Sequence, residues 1–203
     1  MAISTYAELK TAVANWLNRS DLTTYIPDLI MLGEGRIYRD LRIRTMESSI
    51  NSAIASGVVA IPSDYVELKY AYVDGSPVQY LSRMNAQSLI EKYPTRSSDG
   101  KPTKIATDSG NFIFGPYPDS AYTIKGTYYK RLTALSDSNT TNWFTTNAPG
   151  ILLFAALSEA EPFLKNDERT ALWQAKYEQE KLGIEQEEMR ERFSGGGIAM
   201  ARR

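Results

Sequence analysis

The chain has 203 residues, 42% apolar and 23% charged, the balance of a folded globular protein with room for one domain or two small ones and far from a disordered composition. Its 23 basic and 24 acidic side chains nearly cancel, so no overall field draws it onto nucleic acid or an anionic membrane, and any such contact must be local. Cysteine and histidine are both absent, which removes disulfides, thiolate and imidazole metal sites, cysteine nucleophiles and the imidazole of hydrolytic triads, and leaves only carboxylates or lysine for hydrolytic chemistry.

In chain order, Thr5 and Glu8 make a capping box, and Leu9, Val13, Trp16 and Leu17 follow on one face, so the spacing predicts a first helix ending near Arg19. Asp21, Thr23 or Thr24 is expected to cap a second helix, with Pro27 in its opening turn and an apolar face of Ile26, Leu29, Ile30, Ile37 and Leu41. The period then changes. Ile43, Thr45 and Glu47 alternate with Arg44, Met46 and Ser48, and β-branched and aromatic residues recur through Tyr65, Val66, Tyr70, Tyr72 and Val73. Ser56-Gly57, Asp74-Gly75-Ser76-Pro77 and Asp108-Ser109-Gly110-Asn111 are hairpin signals. Residues 82–93 carry Met84, Leu89 and Ile90 in a short helical pattern stopped by Pro94, residues 122–132 read as a strand, and residues 136–146 read as a polar loop.

From Pro149 the chain reads as helical again, with Asn147 as the expected cap and residues 151–157 apolar nearly all round, which implies a buried central helix. That stretch, the longest apolar one, is too short to cross a bilayer, and residues 1–9 lack a basic region followed by an apolar one, so the chain is expected to be soluble and without a signal peptide. Pro162 is expected to kink or end the helix, and a long final helix is expected over residues 167–193. Helices, then strands, then helices imply an α+β fold: a discontinuous helical domain of residues 1–42 and 147–193, an inserted β-rich domain of residues 43–146, and a flexible C-terminal tail of residues 194–203.

No catalytic site is expected. Asp64 with Glu67, Asp108 with Asp119, and Glu187 with Glu188 are the acid and base pairs on offer, but the aspartates sit among turn residues and the glutamates among lysines and arginines, as solvated faces do. Gly33 and Gly35 fall inside a helical pattern without the preceding strand and lysine of a phosphate loop, so close helix packing is the better explanation. Arg36, Arg39, Arg42 and Arg44 form a local basic stripe that could face DNA phosphates, offset by Glu34, Asp40 and Glu47.

The final helix carries two apolar sets. Leu172, Ala175, Gln179, Leu182, Gln186, Met189 and Phe193 follow spacings of three and four, while Trp173, Tyr177 and Ile184 lie on a different face. One helix with two partners implies a subunit contact, and the aromatic set Trp173, Tyr177 and Ile184 is the expected interface.

Several segments together resemble the head-to-tail adaptor, or head-completion, proteins of short-tailed bacteriophages. They are Tyr6-Ala7-Glu8-Leu9-Lys10 through Trp16-Leu17-Asn18-Arg19-Ser20-Asp21-Leu22, Ile26-Pro27-Asp28 through Leu41-Arg42, Ile61-Pro62-Ser63-Asp64-Tyr65, and Arg192-Phe193-Ser194-Gly195-Gly196. Gly197 departs from the endings usual in that family. The resemblance implies a virion protein without enzymatic activity or cofactor, assembled as a dodecameric ring between portal and tail. Its partners would be the portal protein, a tail or nozzle protein and further copies of itself, with packaged DNA passing nearby and no membrane. Portal contacts would come from Phe193, Gly195, Gly196, Gly197, Ile198, Met200, Arg202 and Arg203, and the channel-facing residues would be Arg36, Arg39, Arg42 and Arg44. The alternatives are a tail-associated enzyme that degrades cell walls, which the missing histidine and cysteine disfavour, and a receptor-binding domain built on the tyrosine-rich strands.

Overall fold

The computed structural model describes residues 3–160, 164 and 168–193. The fold is α+β, and its contacts divide the chain into two compact units, Met1–Thr45 with Leu132–Arg203, and Met46–Arg131.

The first unit is helical. Helix α1, Tyr6–Leu17, opens on the capping box: Thr5 Oγ1 accepts from the Glu8 amide at 3.3 Å, and the Glu8 carboxylate accepts from the Thr5 amide at 3.0 Å. It closes at Asn18 in the left-handed region (φ 53°), a conformation that asparagine tolerates better than most residues. Leu9, Val13 and Leu17 are buried, whereas Trp16, expected on the same face, is 48% exposed and meets Phe154 edge-on at 5.6 Å. Helix α2, Ile26–Asp40, has Tyr25 at its N-cap and no side-chain cap. The expected caps are engaged elsewhere, Asp21 with Arg19 and the Thr23 hydroxyl with the carbonyl of Ser20.

Residues 136–146, expected to be a loop throughout, contain the start of a short helix. Asn142 and Thr145 make a second capping box for a helix α4, Trp143–Asn147, which follows α3 (Ala86–Lys92) in the chain. Asn147 does not cap the next helix, because its side-chain amide donates to the Trp143 carbonyl at 3.0 Å. Helix α5, Pro149–Ser158, instead starts at a proline that needs no amide partner in the first turn. As expected it is central: Ile151, Leu152, Leu153, Ala155, Ala156 and Leu157 are buried, and α1, α2, α4 and the final helix α6, Arg169–Phe193, pack against it. Gly33 of α2 permits this packing, since a Cβ there would stand 2.9 Å from the backbone nitrogen of Ala156, while Gly35 faces open space and has no such role. The expected kink at Pro162 lies outside the described residues.

The second unit holds strands β1 (Glu47–Ala53), β2 (Val58–Ala60), β3 (Tyr65–Val73), β4 (Gln79–Tyr80), β5 (Ser82–Arg83), β6 (Lys104–Asp108), β7 (Asn111–Gly115) and β8 (Thr123–Lys130), with helix α3 (Ala86–Lys92) between β5 and β6. They form two four-stranded sheets, ordered β1-β8-β3-β4 and β2-β7-β6-β5, antiparallel except for β5 beside β6. The alternation read from Ile43 onward starts later as structure, because Arg44–Met46 is a turn of 3-10 helix and pairing begins at Glu47. The core between the sheets includes Ile50, Leu68, Val73, Ile105, Phe112, Phe114, Ile124 and Tyr128. Tyr65 packs on Phe112 at 5.5 Å and on Tyr128 at 5.8 Å. On the sheet's other face Tyr70 and Tyr80 are exposed, with Tyr72 stacked on Tyr70 and tilted against Tyr80.

Candidate functional site

Helix α6 turns roughly 100° per residue, so its two apolar sets lie on opposite sides. The structure corrects the expected use of these faces. Trp173 (2% exposed), Tyr177 (0%) and Ile184 (6%) are buried inside their own unit and form the inner face, not an outer one. The second set points outward, with Leu172 55%, Leu182 53% and Met189 65% exposed, and Ala175, Gln179 and Gln186 exposed between them. The aromatic content of the inner face made it look like an interface anchor, but large rings serve equally to fill a core.

The inner face also disposes of the expected arginine stripe. The guanidinium of Arg36 lies 4.2 Å over the Tyr177 ring, within 3.7–3.9 Å of Asp40, Glu159 and Glu178, and donates to Ser158 Oγ at 3.0 Å. The Tyr177 hydroxyl donates to Asp40 at 2.6 Å, and burial together with this carboxylate raises the phenol's pKa above its ordinary value. Arg36 is thus a neutralised, half-buried link between α2, α5 and α6. Arg42 donates to the carbonyls of Tyr38 and Leu41 at 2.8 and 2.7 Å, which satisfies the end of α2. Arg44 pairs with Glu191 and its amide donates to Glu188 at 3.1 Å. Only Arg39 of the four is exposed without an ion pair among the described residues, so the four do not form one basic surface.

The carboxylate pairs resolve into local contacts. Asp64 accepts from the Tyr128 hydroxyl at 2.9 Å, Glu67 lies 3.6 Å from Arg83, Asp108 accepts from Ser109 and Asp119 from the Tyr122 hydroxyl. Among the described residues no group of three or more acidic side chains is placed to hold a metal ion, and no helix is long and apolar enough to cross a membrane.

What the geometry offers is therefore surface: an outward apolar seam on α6 and, beside it, a cleft between α4 and α6. A family model for the SU10 adaptor protein matches residues 4–200. The chain belongs to the SU10 adaptor protein family. No curated protein matches it. An SU10 adaptor is a structural protein of a phage particle. Of the residues expected to meet the portal, residues 194–203 lie outside those described, and Phe193 is described only as the last residue of α6.

In this SU10 adaptor sequence reasoning missed one buried charge, Glu34. It was counted among solvated acids offsetting the arginines, yet it is 3% exposed and faces inward from α2. Its carboxylate accepts from the Leu135 amide at 3.2–3.3 Å and from Asn142 Nδ2 at 3.1 Å, and burial nevertheless pushes its pKa up to about 7. Its neighbour Gly33, which packs on α5, was the available signal that this stretch of α2 is enclosed.

Proposed function

We propose that this adaptor joins the portal vertex of the capsid to the tail, assembling as a dodecameric ring beneath the portal with residues 194–203 inserted into it. The observation that carries this reading is the outward face of α6. Leu172, Ala175, Leu182 and Met189 stand in solvent at spacings of three, seven and seven with uncharged Gln179 and Gln186 among them, a seam that suits a neighbouring helix or subunit. The seam is mixed with glutamine, so the free chain is expected to stay monomeric and to close into a ring only on the portal template. The domain division proposed with it takes the helical unit as the frame and the β-rich unit, Met46–Arg131, as the insertion that meets a tail or nozzle protein. DNA passing through the ring would be touched only through phosphates.

The test is to mix the purified chain with portal rings and read mass and symmetry by native mass spectrometry and electron microscopy. A complex with the portal's own symmetry supports the reading. A stable ring without portal, or no complex with it, overturns it.

A further inference from the structure

Beside the seam, α4 and α6 enclose a cleft of two adjoining parts that share Trp143, Asn147, Ile184 and Glu187: one of about 230 Å³ also lined by Glu180 and Gly183, and one of about 290 Å³ also lined by Arg44, Glu188 and Glu191. Its one basic lining residue, Arg44, is spent on Glu191 and, through its amide, on Glu188. Glu180 lies against Gly150 at the start of α5, while Glu187 makes no hydrogen bond or ion pair among the described residues. None of the described cation–ring contacts falls on Trp143. An indole wall beside carboxylates is the chemistry that recognises a guanidinium, by stacking on the ring and by charge-assisted hydrogen bonds.

We propose that in the free chain this cleft takes the chain's own residues 194–203, with the guanidinium groups of Arg202 and Arg203 against Trp143, Glu187 and Glu180. Charge and reach both favour this occupant. The segment carries two arginines and no acid, and it starts where α6 stops. From Phe193 back to Glu180 is about 20 Å along a helix, and ten further residues span up to about 33 Å, so the arginines reach the cleft with length to spare. Gly195-Gly196-Gly197 allows the reversal that the path needs. The docking concerns the free chain and does not depend on the portal reading; if both hold, portal engagement must first release the segment, and salt should speed it.

The chain's lack of cysteine makes a trapping experiment clean. In the full-length protein, Gly183→Cys places a thiol in the cleft at a position whose Cβ meets nothing within 4 Å, and Gln186→Cys places one on the outward face; each is paired with Ala201→Cys. Under a glutathione buffer the 183–201 pair is expected to close an intramolecular disulfide roughly tenfold faster than the 186–201 pair, because docking raises the effective concentration. Adding Arg202→Glu and Arg203→Glu, or high salt, is expected to bring the rate down to that of the 186–201 pair. Equal rates for the two pairs, a rate that ignores charge reversal, or disulfide-linked dimers as the product would each overturn the proposal. Unchanged circular dichroism and melting of the reduced variants confirm that folding is intact.

Discussion

The carboxylate of Glu34, in the middle of α2, accepts a hydrogen bond at 3.1 Å from Nδ2 of Asn142, the residue that caps α4. With the Leu135 amide on the same carboxylate, one acidic group fastens the segment leading into α4 to the helical core.

Burial of that carboxylate, only partly offset by the two hydrogen bonds, makes stability depend on pH in a defined direction. The folded pKa of about 7 stands above the ordinary 4.5, so the folded state holds the proton more tightly than the unfolded one. The stabilisation by protonation is complete below the unfolded value and is lost as pH rises through about 7. A shift of that size corresponds to about 3 kcal/mol between the two limits. Glu34→Gln is expected to flatten the profile, raising stability at pH 8 relative to the parent and lowering it at pH 5, where the neutral acid already fits. Urea midpoints at the two pH values check this; parallel profiles for parent and variant would refute it.

The inner face of α6 is expected to govern folding. Trp173→Ala should cost about 3–5 kcal/mol as a large buried side chain is lost. Tyr177→Phe, which removes the hydroxyl from Asp40 but keeps the ring under Arg36, should cost about 1–2 kcal/mol. Thermal melts of the free chain measure both. Stable monomers that fail only in assembly would return these residues to an interface.

The outer face should behave in the opposite way. Leu182→Glu with Met189→Glu is expected to shift the free chain's stability by less than about 0.5 kcal/mol, because both side chains already stand in solvent. The same double variant should abolish ring formation on portal. Retained assembly would show that the seam is covered by nothing.

Arg36 is neutralised on α5 and α6, Arg42 caps α2 and Arg44 is paired, so the free chain should bind duplex DNA negligibly at physiological salt. Fluorescence anisotropy with random and specific duplexes tests this, and tight sequence-dependent binding would contradict it.

What could be read from the sequence was what local chemistry determines. The capping box of Thr5 and Glu8 sets the start of α1, Asp108-Ser109-Gly110-Asn111 turns β6 into β7, and the uninterrupted apolar run from Ile151 places α5 in the centre. What could not be read depended on which of several neighbours a residue meets. Asn147 looks like a cap until its amide finds the Trp143 carbonyl, and Glu34 looks solvated until the Leu135 amide and the Asn142 side chain meet its carboxylate. The two faces of α6 were both visible as periodicity, but periodicity says that a face is apolar and not which neighbour covers it. Tyr177 faces inward, where Arg36 stacks on its ring and Asp40 accepts from its hydroxyl, and Trp173 is buried on the same face.

Residues 194–203 include the run Ile198-Ala199-Met200-Ala201-Arg202-Arg203. Alternating apolar anchors with charged hooks suit an extended peptide lying in a groove on the portal. Ordering such a segment costs conformational entropy, so one tail should bind weakly, and a ring of tails should bind strongly through effective concentration. Deleting residues 198–203 is therefore expected to leave the fold intact, since α6 already ends at Phe193, and to lower the thermal midpoint only by the small contribution of a docked segment, while attachment to portal is sharply weakened. Ile198→Asp with Met200→Asp should weaken it comparably if the apolar anchors matter, whereas Arg202→Ala with Arg203→Ala should act mainly through salt dependence. Co-sedimentation of each variant with portal rings at low and physiological salt separates these contributions. If the truncated chain loads onto portal as well as the intact one, attachment must come from the helical frame instead.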